Sequence, residues 1–217
     1  MTSPRRGGRR ARHTDTRDER PSTCLIMTEG TETEVHYFEN MRNIINTRFQ
    51  QRAIQDNYPI KVEGTGRSTS VLVNEAIKKK SREGYSQVWV VFDKDDNVDF
   101  DDAIRLANNN GIKVAWSNES FELWLVLHFQ YLRASLSIDA YIDILNKKFK
   151  DNKIYNGSYS KTIPNIFDIT CDKIDNAISR SEKLREEYRE NNIFSQSDMN
   201  PGTTVDILVK ELLQYIR

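Results

Sequence analysis

The residues best suited to chemistry lie in "VWVVFDKDD", residues 88–96. Val88 to Phe92 form an apolar run that reads as a buried strand, and Asp93, Asp95 and Asp96 crowd around Lys94 at its end. Carboxylates this close repel one another, so a core strand that ends in them needs an offsetting charge. They are hard oxygen donors of the kind that hold Mg2+ or Mn2+, and a divalent cation turns the repulsion into attraction. The plainer alternative is a solvated turn, with Asp93 capping the next segment and Lys94 balancing the charge. A further acid at another strand end, Glu29, favours the metal.

Glu29 lies in "TEGTETE". Gly30 permits a tight turn from strand to helix. Thr31 and Glu34 have the spacing of a capping box, which gives Glu34 a structural role. Glu29 precedes that cap and is free to ligate a metal or to transfer a proton; otherwise it is a solvent-facing turn residue. Glu122 lies in "SFELWLVLHF", a helix apolar on nearly every side. A carboxylate buried there requires a partner such as a metal, a lysine or a backbone N–H. The simpler reading is an acid favoured by the helix dipole. His128, on another face of that helix, reads as a satisfied core histidine. The "GTGRST" turn (64–69) precedes a helix and can hold an anion there, with Arg67 as a phosphate clamp. It lacks the Gly-Lys-Ser/Thr ending of a P-loop. Lys161, in "SYSKTIP", is an isolated basic residue in a polar loop.

The elements that must position these residues alternate. Strands are predicted at 23–28, 58–64, 87–92 and 112–117, and helices at 31–49, 68–83 and 100–110, with Val35, Phe38, Met41 and Ile45 at helical spacing in the first. This order predicts an α/β fold: a mostly parallel sheet of about four strands, flanked by helices on both faces. Ligands bind such sheets at the carboxyl ends of the strands, where Glu29, Asp93, Asp95, Ser117 and Asn118 fall. Beyond residue 134 the chain reads as mainly helical, at 137–149, 171–190 and 203–216. The expected organisation is a basic arm (1–22), an α/β core (23–134) and a helical extension (135–217).

Charge is unevenly spread. The chain of 217 residues has a formal net charge of zero, yet its first 22 residues hold seven Arg and three acids. With almost no apolar side chains, that arm is expected to be disordered; it is either a solvated tail or a local contact for nucleic acid. The body carries 25 basic and 29 acidic residues, so no bulk basic surface announces a nucleic-acid binder. Cys24 and Cys171 form neither a disulfide framework nor a zinc pattern and read as core or near-core residues. The longest apolar run, "LWLVLHF", is far short of the roughly 20 residues that span a bilayer. The N-terminus lacks the apolar segment of a secretory signal, and these features predict a cytoplasmic protein without a membrane partner.

Taken in order, "LIMTEGTETEVHYFENM", "VFDKDD", "SNESFELWLVLHF", "YSK" and "NPGTTVDILVKEL" resemble the RloB family, over nearly all of the chain after the arm. The resemblance implies a Toprim-like fold and a place in bacterial phage defence (abortive infection), beside a companion ABC/AAA-type ATPase. It implies an Mg2+- or Mn2+-dependent nuclease acting on DNA or tRNA. Glu29 matches the Toprim glutamate, Asp93 and Asp95 the metal-holding Asp-x-Asp, Glu122 the glutamate of "FELW" and a further metal ligand, and Lys161 a late lysine that meets phosphate. Glu119 and Ser120 replace the Pro and Cys usual before "FELW"; a first-turn Glu is favoured by the dipole in place of Pro.

Two other readings stand beside this one. A haloacid-dehalogenase-type phosphatase also ends a strand in Asp-x-Asp, and would use Asp93 as nucleophile with Ser117 and Lys161. That motif normally opens its domain, whereas two strands precede it here, and Glu29 would have no part. A regulatory subunit of the ATPase without catalysis is the non-enzymatic reading, and the intact set of mutually repelling carboxylates argues against it. A homo-oligomer is compatible with the helical C-terminal part.

Overall fold

The computed structural model describes residues 23–50 and 60–217. Five strands form one sheet: β1 (Cys24–Thr28), β2 (Ile60–Gly64), β3 (Gln87–Asp93), β4 (Lys113–Asn118) and β5 (Gly202–Thr203). Their order is β2-β1-β3-β4-β5, with the first four parallel and β5 antiparallel to β4. The interior strand β1, "CLIMT", is buried throughout, as expected where helices cover both faces.

Alternation along the strands divides the core in two. Ile26, Trp89, Val91 and Ala115 point to one face, where α1 (Thr33–Gln50), α4 (Glu122–Phe129), α5 (Ile138–Asp151), α6 (Ile174–Glu190) and α7 (Val205–Ile216) pack. Leu25, Met27, Val88, Val90 and Phe92 point to the other, under α2 (Thr69–Glu83) and α3 (Phe100–Asn109). Phe38, Met41 and Ile45 are fully buried, as the helical spacing predicts. Gly84 ends α2 in the left-handed region, at φ 69°.

The predicted sheet of about four strands gains a fifth. β5 is two residues long, too short to show periodicity, and it pairs Thr203 with Ser117 and Gly202 with Asn118. A buried ion pair holds it in place: Arg185 of α6 meets Asp206 of α7 at 2.5 and 2.8 Å and donates to the Thr203 carbonyl. The C-terminal helices share the core of α1 and α4.

Other boundaries move slightly. α1 starts at Thr33, and its first turn leaves no capping box between Thr31 and Glu34. The predicted helix over 171–190 opens with a 3-10 turn at Cys171–Lys173, and Cys171 is exposed there. The basic arm and residues 58–59 of the predicted second strand lie outside the described residues. Among the described residues, no helix is long and apolar enough to cross a membrane.

A candidate active site at the strand ends

The parallel register brings the ends of β1 and β3 side by side. The Glu29 backbone N–H continues the ladder by donating to Val91 O at 2.8 Å, and Glu29 Oε2 accepts the Asp93 N–H at 3.4 Å. Around the Glu29 turn wraps the "GTGRST" segment: Thr65 donates to Thr28 O through both N–H and Oγ1, and Gly66 N–H donates to Glu29 O, all at 3.0 Å. That turn braces Glu29. Arg67 is exposed and lies 3.8 Å from Glu75, outside the residues that line the cleft.

Asp93 is held on one side only. Its Oδ2 accepts the Phe121 N–H at 3.1 Å, while Oδ1 is buried without a hydrogen-bond partner. The next two backbone amides are tied to the end of β4 and the turn after it, Lys94 to Ser117 O at 2.8 Å and Asp95 to Glu119 O at 3.2 Å. Asp95 adopts φ 33°, which non-glycine residues rarely enter and Asp enters more readily than most. Asn97 Nδ2 closes the turn on Asp93 O at 3.2 Å.

Glu122, in the first turn of α4, is 2% exposed. Its Oε1 accepts the Tyr159 hydroxyl at 2.9 Å and lies 3.5 Å from Lys161 Nζ. Glu122 therefore sits behind the cleft lining, which Lys161 itself joins. The cleft measures about 310 Å3; its lining includes Glu29, Glu34, Asp93, Asp95, Asn97 and Lys161, together with residues 30–33.

The unexpected member is Glu34. Instead of capping α1, it is buried and turned back toward Gly30, where an added Cβ would overlap its carboxylate. Helical periodicity carries the signal for this: Glu34 precedes Phe38, Met41 and Ile45 by four, seven and eleven residues, which places it on the buried face. Tyr159 and Asn97 were visible in the sequence only as neighbours of Lys161 and the Asp-x-Asp. Their partners are remote in the chain or made through backbone, so spacing does not reveal them.

Burial and mutual repulsion favour the protonated acids. Burial raises the Glu29 carboxyl, opposed by the Asp93 N–H and reinforced by Asp95. Burial raises Glu34 to about 7, with repulsion from Glu122 and Glu29 adding and Lys161 opposing. Asp93 is pushed well above the usual range, first by burial and then by Glu34 and Glu122, against the Phe121 N–H. His128, by contrast, is a buried neutral imidazole pushed down to about 4 by burial; Nδ1 lies 2.9 Å from Trp124 O.

The donors fit a hard divalent cation in their chemistry, and the unpartnered Asp93 Oδ1 offers it a lone pair. Among the described residues, however, no three Asp, Glu, His or Cys side chains are gathered closely enough to form a ready metal site. The arrangement places carboxyls, one of them able to exchange a proton near neutrality, beside an ammonium group in one cleft.

Searches of the curated proteins and of the solved structures returned no match. The protein-family comparison matched RloB, described as RloB-like protein, over residues 24–212, which takes in all five strands and the cleft. The chain belongs to the RloB-like protein family.

Proposed function

We propose that this chain is a Toprim-type nuclease that hydrolyses phosphodiesters with Mg2+ or Mn2+. The observation that carries the reading is Asp93 Oδ1, a buried carboxylate oxygen without a partner, in a cleft also lined by Glu29, Glu34 and Asp95. A buried unmet acceptor among like charges is costly, and a cation is the partner that resolves both problems at once. When bound, the ion supplies Lewis-acid stabilisation of charge on a phosphodiester under attack. Asp93, Asp95 and Glu29 are the residues that would hold it.

Glu34, a further carboxyl lining the same cleft, would be placed to accept or return a proton beside the ion. Lys161 presents its ammonium to the phosphate. The partners of Glu122, Tyr159 and Lys161, favour a role in holding that lysine over ligation of a second ion. The phosphatase scheme is less well supported, because Ser117 is buried and its hydroxyl lies 3.1 Å from Thr203 Oγ1 instead of lining the cleft. The family resemblance supports the wider setting: phage defence in bacteria, control by a companion ABC/AAA-type ATPase, and DNA or tRNA as substrate.

The test is incubation of the purified protein with supercoiled DNA and with bacterial tRNA, in Mg2+, Mn2+ or EDTA, beside Asp93→Ala and Glu29→Ala. Metal-dependent cleavage by the wild type, lost in both variants, is the expected result. Cleavage that survives EDTA, or survives both substitutions, overturns the proposal. A phosphate trapped covalently on Asp93 would move the assignment to the phosphatase.

A further inference from the structure

We infer that Tyr159 is a positioning residue that holds Lys161 over the cleft by fixing Glu122; its catalytic consequence, though not its geometry, rests on the nuclease reading above. Tyr159 is 6% exposed, and its hydroxyl has a single proton, which goes to Glu122 Oε1 at 2.9 Å. The same carboxylate oxygen lies 3.5 Å from Lys161 Nζ. One oxygen thus faces two donors, one buried and rigid, the other on a side chain that is half exposed. The rigid donor sets where the carboxylate points, and the carboxylate sets where the ammonium rests.

Tyr159 is itself clamped. Its backbone N–H donates to Asn146 Oδ1 of α5 at 2.9 Å, and its ring packs edge-on against Phe149, with centroids 5.9 Å apart. Thr33, where the first turn of α1 begins, lies 3.2 Å from the Tyr159 hydroxyl and 3.3 Å from the Lys161 carbonyl, and can donate to either. The loop that carries Lys161 is therefore fastened to α1, α4 and α5 within two residues of the lysine. An arrangement that served only to satisfy Glu122 would not need Lys161 on the same oxygen. Polar groups linked in this way act as a unit, so removing the hydroxyl is felt at the amine.

The experiment removes the hydroxyl alone, with Tyr159→Phe, and uses Thr33→Val as a second variant that loosens the same unit from the α1 side. Thermal unfolding confirms that each is folded. In EDTA at pH 8, acetylation of Lys161 by an N-hydroxysuccinimide ester is timed by mass spectrometry. A several-fold faster labelling of Lys161 in Tyr159→Phe, with other lysines unchanged, is expected. If that variant does not fold, faster labelling in Thr33→Val carries the same meaning. An unchanged or slower rate overturns the inference.

Activity supplies the second readout. Tyr159→Phe is expected to lose about tenfold or more in kcat/KM, the scale of one hydrogen bond to a charged group. It should lose almost nothing further in a Lys161→Ala background. Losses that multiply overturn the positioning role. If the wild type cleaves neither substrate, the nuclease reading falls and the labelling alone decides the role of Tyr159.

Discussion

Phe121 and Asp93 are joined across the site: the Phe121 N–H donates to Asp93 Oδ2 at 3.1 Å, at the point where α4 begins and β3 ends. The bond orients one carboxylate oxygen and leaves Oδ1 buried without a partner. Binding of a cation to Asp93 therefore has a direct thermodynamic signature. Mg2+ at about 100 times its dissociation constant should stabilise the wild type by roughly 2.7 kcal/mol. Asp93→Asn keeps an oxygen for Phe121 but removes the charge, and should lose most of that shift. Thermal unfolding with and without Mg2+ measures both, and an equal shift in the two proteins would remove Asp93 from the metal site.

Glu34 makes the metal-free protein sensitive to pH. A carboxyl with a higher pKa folded than unfolded keeps its proton longer in the native state. The stabilisation is complete below the unfolded value and is lost as pH rises through the folded one. For Glu34 that window runs from the ordinary 4.5 to about 7. The loss across it is on the order of 3 kcal/mol at most, and Glu29 and Asp93 add in the same direction. Glu34→Gln should be more stable than the wild type at pH 8 in EDTA, with the difference closing toward pH 4.5. Urea unfolding at a series of pH values measures the slope, and a parallel slope in the variant would contradict the assignment.

Gly30 leaves the space that the Glu34 carboxylate fills. Gly30→Ala should therefore displace Glu34 or strain the turn, at a cost of about 1–3 kcal/mol, the range for overpacked sites. The same substitution in a Glu34→Ala background should cost much less. Equal losses in both backgrounds, by urea unfolding, would show that the turn itself and not Glu34 requires glycine.

The Arg185–Asp206 pair anchors β5 and α7 outside the residues that line the cleft. Asp206 is fully buried, and Arg185 also bonds Ser181 and the Thr203 carbonyl. Asp206→Ala leaves the guanidinium without its countercharge and should cost about 3–5 kcal/mol. Replacing both residues with apolar ones of similar size should restore much of it. A loss under 1 kcal/mol in the single variant, by urea denaturation, would count against a load on this pair.

Local pattern carried much of this protein. The alternation of short apolar runs with helical segments implied a parallel sheet, because a strand buried on both faces must be apolar throughout, as "CLIMT" is. The topology then placed Glu29 and Asp93 together, since adjacent parallel strands end at the same edge of the sheet. What local pattern could not supply were contacts between distant segments. β5 is two residues that become a strand only because β4 offers an open edge and Arg185 with Asp206 holds Thr203 there. Glu34 read as a cap, because the local spacing allowed one, and tertiary burial overruled it. Lys161 meant little in its loop until Tyr159 and Glu122 drew it to the cleft. Short-range periodicity and strand order were enough for the four parallel strands, their covering helices and the edge at which the acids gather. Which acid is buried, which oxygen lacks a partner and which lysine faces them came from the folded packing, because such facts depend on burial and on groups far apart along the chain.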